Sequence, residues 1–145
     1  MKLGIKSISC FLASKVKDFS FYPKGSSINF SNFTEEKPIF INFTQETADF
    51  SENWSVDENG TYSSVELNFS VRNEDDKDKI TKLNLLGKKY LFLVESTSGE
   101  NYIIGSKAFM PVCSIIDRFS GISSKELNIK IQCNSTHGCF RFYKS

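Results

Sequence analysis

Val65-Glu66-Leu67-Asn68-Phe69-Ser70-Val71-Arg72, residues 65–72, is the stretch whose reading decides the fold. Its odd positions are apolar and its even positions are polar. Successive side chains of an extended chain point to opposite faces, so this period of two predicts a strand with one buried and one wet face. The pattern recurs on either side. Leu127, Ile129, Ile131 and Cys133 alternate with Asn128, Lys130 and Gln132. Ile8, Cys10 and Leu12 alternate with Ser7 and Ser9, with Phe11 on the second face. Ile39, Ile41 and Phe43 follow less cleanly, because Phe40 breaks in. Leu91-Phe92-Leu93-Val94 is apolar throughout, the signature of a central strand covered on both faces.

Turn chemistry separates these runs. Ser98-Gly99-Glu100-Asn101 reads as a hairpin turn, and Asn59-Gly60 is a tight-turn signal ahead of the Tyr62–Arg72 strand. Pro23-Lys24-Gly25 and Ser120-Gly121 punctuate the chain elsewhere. About eight strands at hairpin spacing predict a mainly β fold, an antiparallel sandwich or barrel. One helix is expected over residues 75–86, where Ile80, Leu83 and Leu86 share a face. Asp75 or Asp76 suits its start, and Gly87 is placed to end it in the left-handed conformation. No repeat or low-complexity linker divides the 145 residues, which read as a single domain, 1–145. A chain of this length buries roughly two thirds of its unfolded surface and needs no staple. Its 14 Phe suit pleated, half-buried surfaces.

The totals exclude several classes. A net charge of +1 supplies no field that draws the chain to nucleic acid or anionic membrane. No apolar run reaches the ~18 residues of a membrane helix. Lys6 interrupts the first apolar run, and Lys15, Lys17 and Asp18 follow it, so a mature start and synthesis in a cytoplasm are expected. Four cysteines are then expected as thiols. Asn32, Asn42, Asn53, Asn59, Asn68 and Asn134 head N-x-S/T sequons, read as compositional bias in a chain rich in Asn, Ser and Thr.

The stretch most like chemistry is Cys-Asn-Ser-Thr-His-Gly-Cys, residues 133–139. It offers at most Cys133, His137 and Cys139 to a metal, short of the usual four ligands, and no C-x2-C pair accompanies it. A Cys–His nucleophile needs an orienting group that the sequence does not identify. Asn134, Ser135, Thr136 and Gly138 are turn formers between two alternating runs, so the expectation is the loop of a last hairpin, with a Cys133–Cys139 bridge as the alternative under oxidising conditions. The acidic cluster at residues 74–78 lacks calcium-loop order and reads as a solvated helix start. His137 is the only histidine, and no phosphate-binding glycine loop or G-x-S-x-G elbow is present. No catalytic, cofactor-binding or metal residue is expected, and the chain reads as a non-enzyme.

Three segments together carry a resemblance: FSENWSVDENGTYSSVELNFSVRN, ITKLNLLGKKYLFLVESTSGENYIIGSKAFMPV and LNIKIQCNSTHGCFRFY. Over residues 45–145 their order of strand, glycine turn, short helix and buried strand resembles β-rich neck and tail ring proteins of tailed phages infecting Bacteroides-type bacteria, the crAss-like group. These include head–tail connector and tail-tube proteins. The resemblance implies a β-sandwich with a packed helix and a structural role in the virion, assembled in the host cytoplasm. The partners it implies are copies of the chain in a ring, other neck, tail or portal proteins, and a DNA channel met without sequence specificity. It implies no cofactor, no membrane and no catalytic residue. Segments 20–37 and 44–61 are polar yet carry aromatics, so they are expected to be contact arms, with Phe21, Tyr22, Phe33, Phe50 and Trp54 as candidate subunit-interface residues. The rival readings are a capsid decoration or fibre-attachment protein, a secreted sandwich that binds glycan or protein, and a small enzyme.

Overall fold

The computed structural model of the chain describes residues 4–15, 27–29, 38–44, 47–58, 60–72, 74–105, 109–118, 126–135 and 140–143. The strands are β1 (Ile5–Leu12), β2 (Ser27–Asn29), β3 (Ile39–Ile41), β4 (Asp49–Asp57), β5 (Gly60–Val71), β6 (Tyr90–Ser96), β7 (Asn101–Ile104), β8 (Val112–Arg118), β9 (Glu126–Ser135) and β10 (Phe140–Tyr143). One helix, α1 (Glu74–Leu83), joins β5 to β6. The strands make two sheets, in the orders β2-β10-β7-β6-β1-β3 and β4-β5-β9-β8. The pairings are antiparallel except β2 on β10, which is parallel. The chain is thus a mainly β sandwich with one helix, as the alternation predicts.

β5 is the centre of the smaller sheet. It pairs with β9 as Val65↔Cys133, Leu67↔Ile131, Phe69↔Ile129 and Val71↔Leu127, and with β4 as Phe50↔Leu67. Directly opposed residues share a face, so every apolar partner in this set points the same way. All of them are buried, with Leu67 and Ile131 at 0% exposure. They meet Ile8, Cys10, Phe92, Val94 and Ile104 of the larger sheet in one core. Phe50 stacks on Tyr102 with ring centroids 5.7 Å apart, and Phe43 meets the ring of Phe69 edge-on at 6.0 Å. On the wet face, Lys130 bridges to Glu66 at 2.7 Å, a half-exposed pair of small energetic weight.

The larger sheet is covered on both sides, as Leu91–Val94 predicts. Tyr90, Phe92 and Val94 enter the core between the sheets. Phe11, Leu91, Leu93 and Ile103 are equally buried, and the pairs Phe11↔Leu91 and Leu93↔Ile103 place them together on the far face.

The connections depart from the sequence reading in two places. First, β9 and β10 are not a hairpin. β9 pairs with β5 and β8, whereas β10 pairs with β7 and β2 in the other sheet. β9, which ends at Ser135, and β10, which starts at Phe140, therefore lie in different sheets. Alternation reports which face of a strand is buried and carries no information on its partner. Second, α1 stops at Leu83, and Asn84, not Gly87, takes the left-handed conformation, with φ 53°. Asparagine tolerates that region better than most residues, and it ends the helix three residues early. The Tyr90 hydroxyl then donates to the Leu83 carbonyl at 2.6 Å, satisfying one of the helix's last acceptors. The early stop also changes the register beyond it. Leu85 is buried, and Leu86, expected beside Ile80, is 66% exposed.

Two further crossings are pinned. Between β3 and β4, the Thr44 amide donates to the Ser70 carbonyl at 2.8 Å, and the Ser70 amide donates to the Thr47 hydroxyl at 2.9 Å. Between β7 and β8, Gly105 has φ 95°, and a Cβ there would lie 2.6 Å from the Pro111 ring, so only glycine fits.

Leu67→Ala removes a fully buried side chain from the central strand and is expected to lower stability by about 2–5 kcal/mol. Val56→Ala, on an exposed part of β4, is expected to change it by under about 0.5 kcal/mol. Urea denaturation midpoints of the two variants check the contrast.

Candidate functional site

The structure separates the five candidate interface residues. Phe21, Tyr22 and Phe33 lie outside the described residues. Phe50, expected at a subunit interface, is instead 5% exposed and stacked on Tyr102 inside its own chain. It stands opposite Leu67 at the core end of β4, and its alternation there points it inward. Trp54 is on the surface at 37% exposure.

Trp54 belongs to a ribbon that sequence reasoning read as part of a polar contact arm, 44–61. Residues 49–57 are paired to β5 along their whole length. β9 pairs with β5 only as far as Ser63↔Ser135. The last three β4–β5 pairs, Ser55↔Tyr62, Val56↔Thr61 and Asp57↔Gly60, therefore extend beyond the end of β9. Trp54 and Val56 continue the face that Phe50 and Leu67 bury lower down; it is still partly covered at Trp54, whose partner Ser63 is buried, and opens at Val56, 78% exposed. The Trp54 indole N–H donates to Glu52 Oε1 at 2.7 Å, which satisfies its polar edge. The other arm, 20–37, contributes β2 to the edge of the larger sheet.

A second apolar surface lies where β3 meets α1. Ile39 and Phe40 are 40% and 59% exposed. With Ile80 and Leu83 they line a groove of about 190 Å³, with Lys79 and Lys82 on its rim. The Asn42 side-chain amide donates to Asp76 Oδ1 at 3.2 Å beside it. This is the role of one member of the acidic helix start. Sequence reasoning missed Val56 and Phe40 as surface features. The spacing of Phe50, Trp54 and Val56 at alternate positions before an Asn-Gly turn is the signal for the first. Phe40, the residue that broke the β3 alternation, is the signal for the second.

A cleft of about 250 Å³ lies on the outer face of the smaller sheet, lined by Asn68, Ser70, Ser114, Ile116, Asn128 and Lys130. The Ser70 hydroxyl donates to Asn128 Oδ1 at 2.5 Å, while the buried Nδ2 of Asn128 has no hydrogen-bond partner. Lys130 is engaged by Glu66.

The Cys133 thiol is free and buried, and it donates to the Phe109 carbonyl at 3.3 Å. His137 and Cys139 lie outside the described residues. Burial pushes the Cys133 thiol from the ordinary 9.0 up to about 11. Burial does the same to Cys113, and it raises Cys10 to about 12 with the neighbouring Cys113 adding to the effect. A thiol is a nucleophile only as thiolate, so these three are packing groups at neutral pH. Among the described residues no three His, Cys, Asp or Glu side chains are grouped to hold a metal, and no helix is long and apolar enough to cross a membrane.

The raised thiols make stability depend on pH. Below 9.0 both folded and unfolded chains keep these protons, and the contribution is whole. Above it the unfolded chain ionises first, so stability falls as pH rises toward 11 and 12. Cys133→Ala is expected to recover about 1 kcal/mol of the loss measured between about pH 7 and about pH 10. Urea midpoints of both chains at the two pH values check this. No protein-family model, curated protein or solved structure matches this chain.

Proposed function

We propose that the chain is a non-enzymatic structural subunit that assembles with copies of itself into a ring in the neck or tail of a tailed phage. The observation that carries the assembly part is the β4–β5 ribbon. A two-stranded ribbon reaching past its sheet is marginal alone in water. This one presents Val56, with Trp54 at its base, on a face that is core elsewhere in the same strands. A large exposed aromatic beside aliphatic surface is favoured as an interface anchor. Short edge strands such as β3 leave backbone groups for further pairing. The virion setting rests on the sequence resemblance, and the sandwich with one helix is compatible with it. The other neck, tail or portal proteins and the DNA channel belong to the same proposal, as does assembly in the host cytoplasm.

One observation favours a second reading, glycan binding by a sandwich face. It is the outer cleft with its unpartnered Asn128 amide among Asn68, Ser70 and Ser114. Amide and hydroxyl groups of this kind bond sugar hydroxyls, but the cleft lining contains no exposed aromatic platform.

The purified chain is expected to form a closed oligomer of fixed copy number by light scattering and native mass spectrometry, and to occur in multiple copies in purified particles. A monomer at all concentrations, absent from particles, overturns the ring. Binding of that monomer to a glycan array, lost in Asn128→Ala, would put the second reading in its place.

A further inference from the structure

We infer that the β4–β5 ribbon tip of one copy docks into the β3–α1 groove of a second copy, a head-to-tail contact that rests on the ring proposal and specifies its interface. Three observations converge on it. The first is position. β5 runs from Gly60 at the ribbon tip to Val71, just before α1. Its length places the tip and the helix roughly 35 Å apart at a rise of about 3.3 Å per residue. The groove lies at the α1 end, because Asn42 bonds Asp76 and Thr44 bonds Ser70 there. A tip therefore cannot reach the groove of its own chain.

The second observation is shape and polarity. The tip offers Val56, 78% exposed, with Trp54, 37% exposed, two residues back on the same face of β4. The groove offers Ile39, Phe40, Ile80 and Leu83 around about 190 Å³, room for one or two such side chains. The third is charge. The turn at the tip carries Asp57 and Glu58, and residues 49–62 contain no Lys or Arg. The groove rim carries Lys79 and Lys82, and its one carboxylate, Asp76, accepts from Asn42. An acid-flanked apolar tip thus meets a lysine-rimmed apolar groove, the complementarity that fixes register between partners. Two different patches in contact make a heterologous interface, which closes into a ring where the rotation permits.

The test uses exposed residues, so the fold survives it. D57K/E58K reverses the tip and K79E/K82E reverses the rim. Each pair is expected to weaken self-association about tenfold, read by sedimentation velocity over a concentration series, and added salt is expected to weaken the native contact. The chain with all four substitutions is expected to recover native association. Phe40→Ser is a second groove variant that leaves the charges in place, and urea midpoints confirm that each variant is folded. If the native chain associates while the reversals have no effect, or the fourfold variant fails to recover, tip-in-groove docking is overturned and the ring proposal stands. If the native chain is monomeric throughout, a second copy is not the occupant of the groove, and the ring proposal falls with it.

Discussion

The register between β5 and β9 is the constraint on which the rest of the molecule depends. Leu67 stands opposite Ile131, and the neighbouring pairs bury Val65, Phe69 and Val71 against Cys133, Ile129 and Leu127. Because the side-chain period of a strand is two, a slip of one residue would turn all these groups to water and bring Glu66, Asn68, Lys130 and Gln132 inward. Burying Glu66 and Lys130 without their present solvent-facing geometry would cost far more than the register saves. This single alignment orients the inner face of the smaller sheet. It also fixes the face on which Phe50 packs and Trp54 emerges, since β4 reads its own alternation from β5.

The larger sheet is organised by a different demand. β6 is apolar at successive positions, so it is stable only if both faces are covered. One face meets the smaller sheet through Phe92 and Val94, and the other gathers Phe11, Leu91, Leu93 and Ile103. The chain then has to pass repeatedly between the sheets, and three of the passages, β3 to β4, β5 to β6 and β7 to β8, are held locally. Asn84 stops the helix in the left-handed conformation and Tyr90 caps its end. Gly105 passes against Pro111, and Thr44 and Thr47 extend the hydrogen bonding of β5 at Ser70. The buried thiols belong to this same packing. Their raised ionisation is a consequence of the core and not a sign of chemistry.

The extension of β4 and β5 beyond β9 gives the molecule a polarity. The strands that form the core at one end become a solvent-facing ribbon at the other, where the same face carries Trp54 and Val56 beside Glu52, Ser63 and Thr61. The helix and the short edge strand β3 close the opposite end and leave a lysine-rimmed apolar groove. Between the two ends the outer face of the smaller sheet is polar along β5 and β9, with the exposed aliphatics Val112 and Ile116 on β8. A body of this kind has surfaces suited to contacts along its strand direction, which is the geometric basis of the proposed role.

Much of the fold was legible in the sequence. Alternation in 65–72 and 127–133 located the two strands at the heart of the smaller sheet, and the unbroken run 91–94 located the doubly covered strand. These are local consequences of backbone geometry, because a period of two states which side of a strand is apolar. The helix was legible in kind but not in extent. Asn84 and Gly87 are both able to end it, and the packing of Leu85 and Tyr90 selects the first. The partner of β10 was not legible, since alternation is blind to whether the next strand pairs or crosses to the other sheet. For the same reason Phe50 and Trp54, four residues apart on one strand face, looked alike as candidate anchors. Sequence determined that both point to the same side; only the tertiary structure decided that the first packs on Tyr102 inside the core while the second stands at the end of the β9 pairing, 37% exposed.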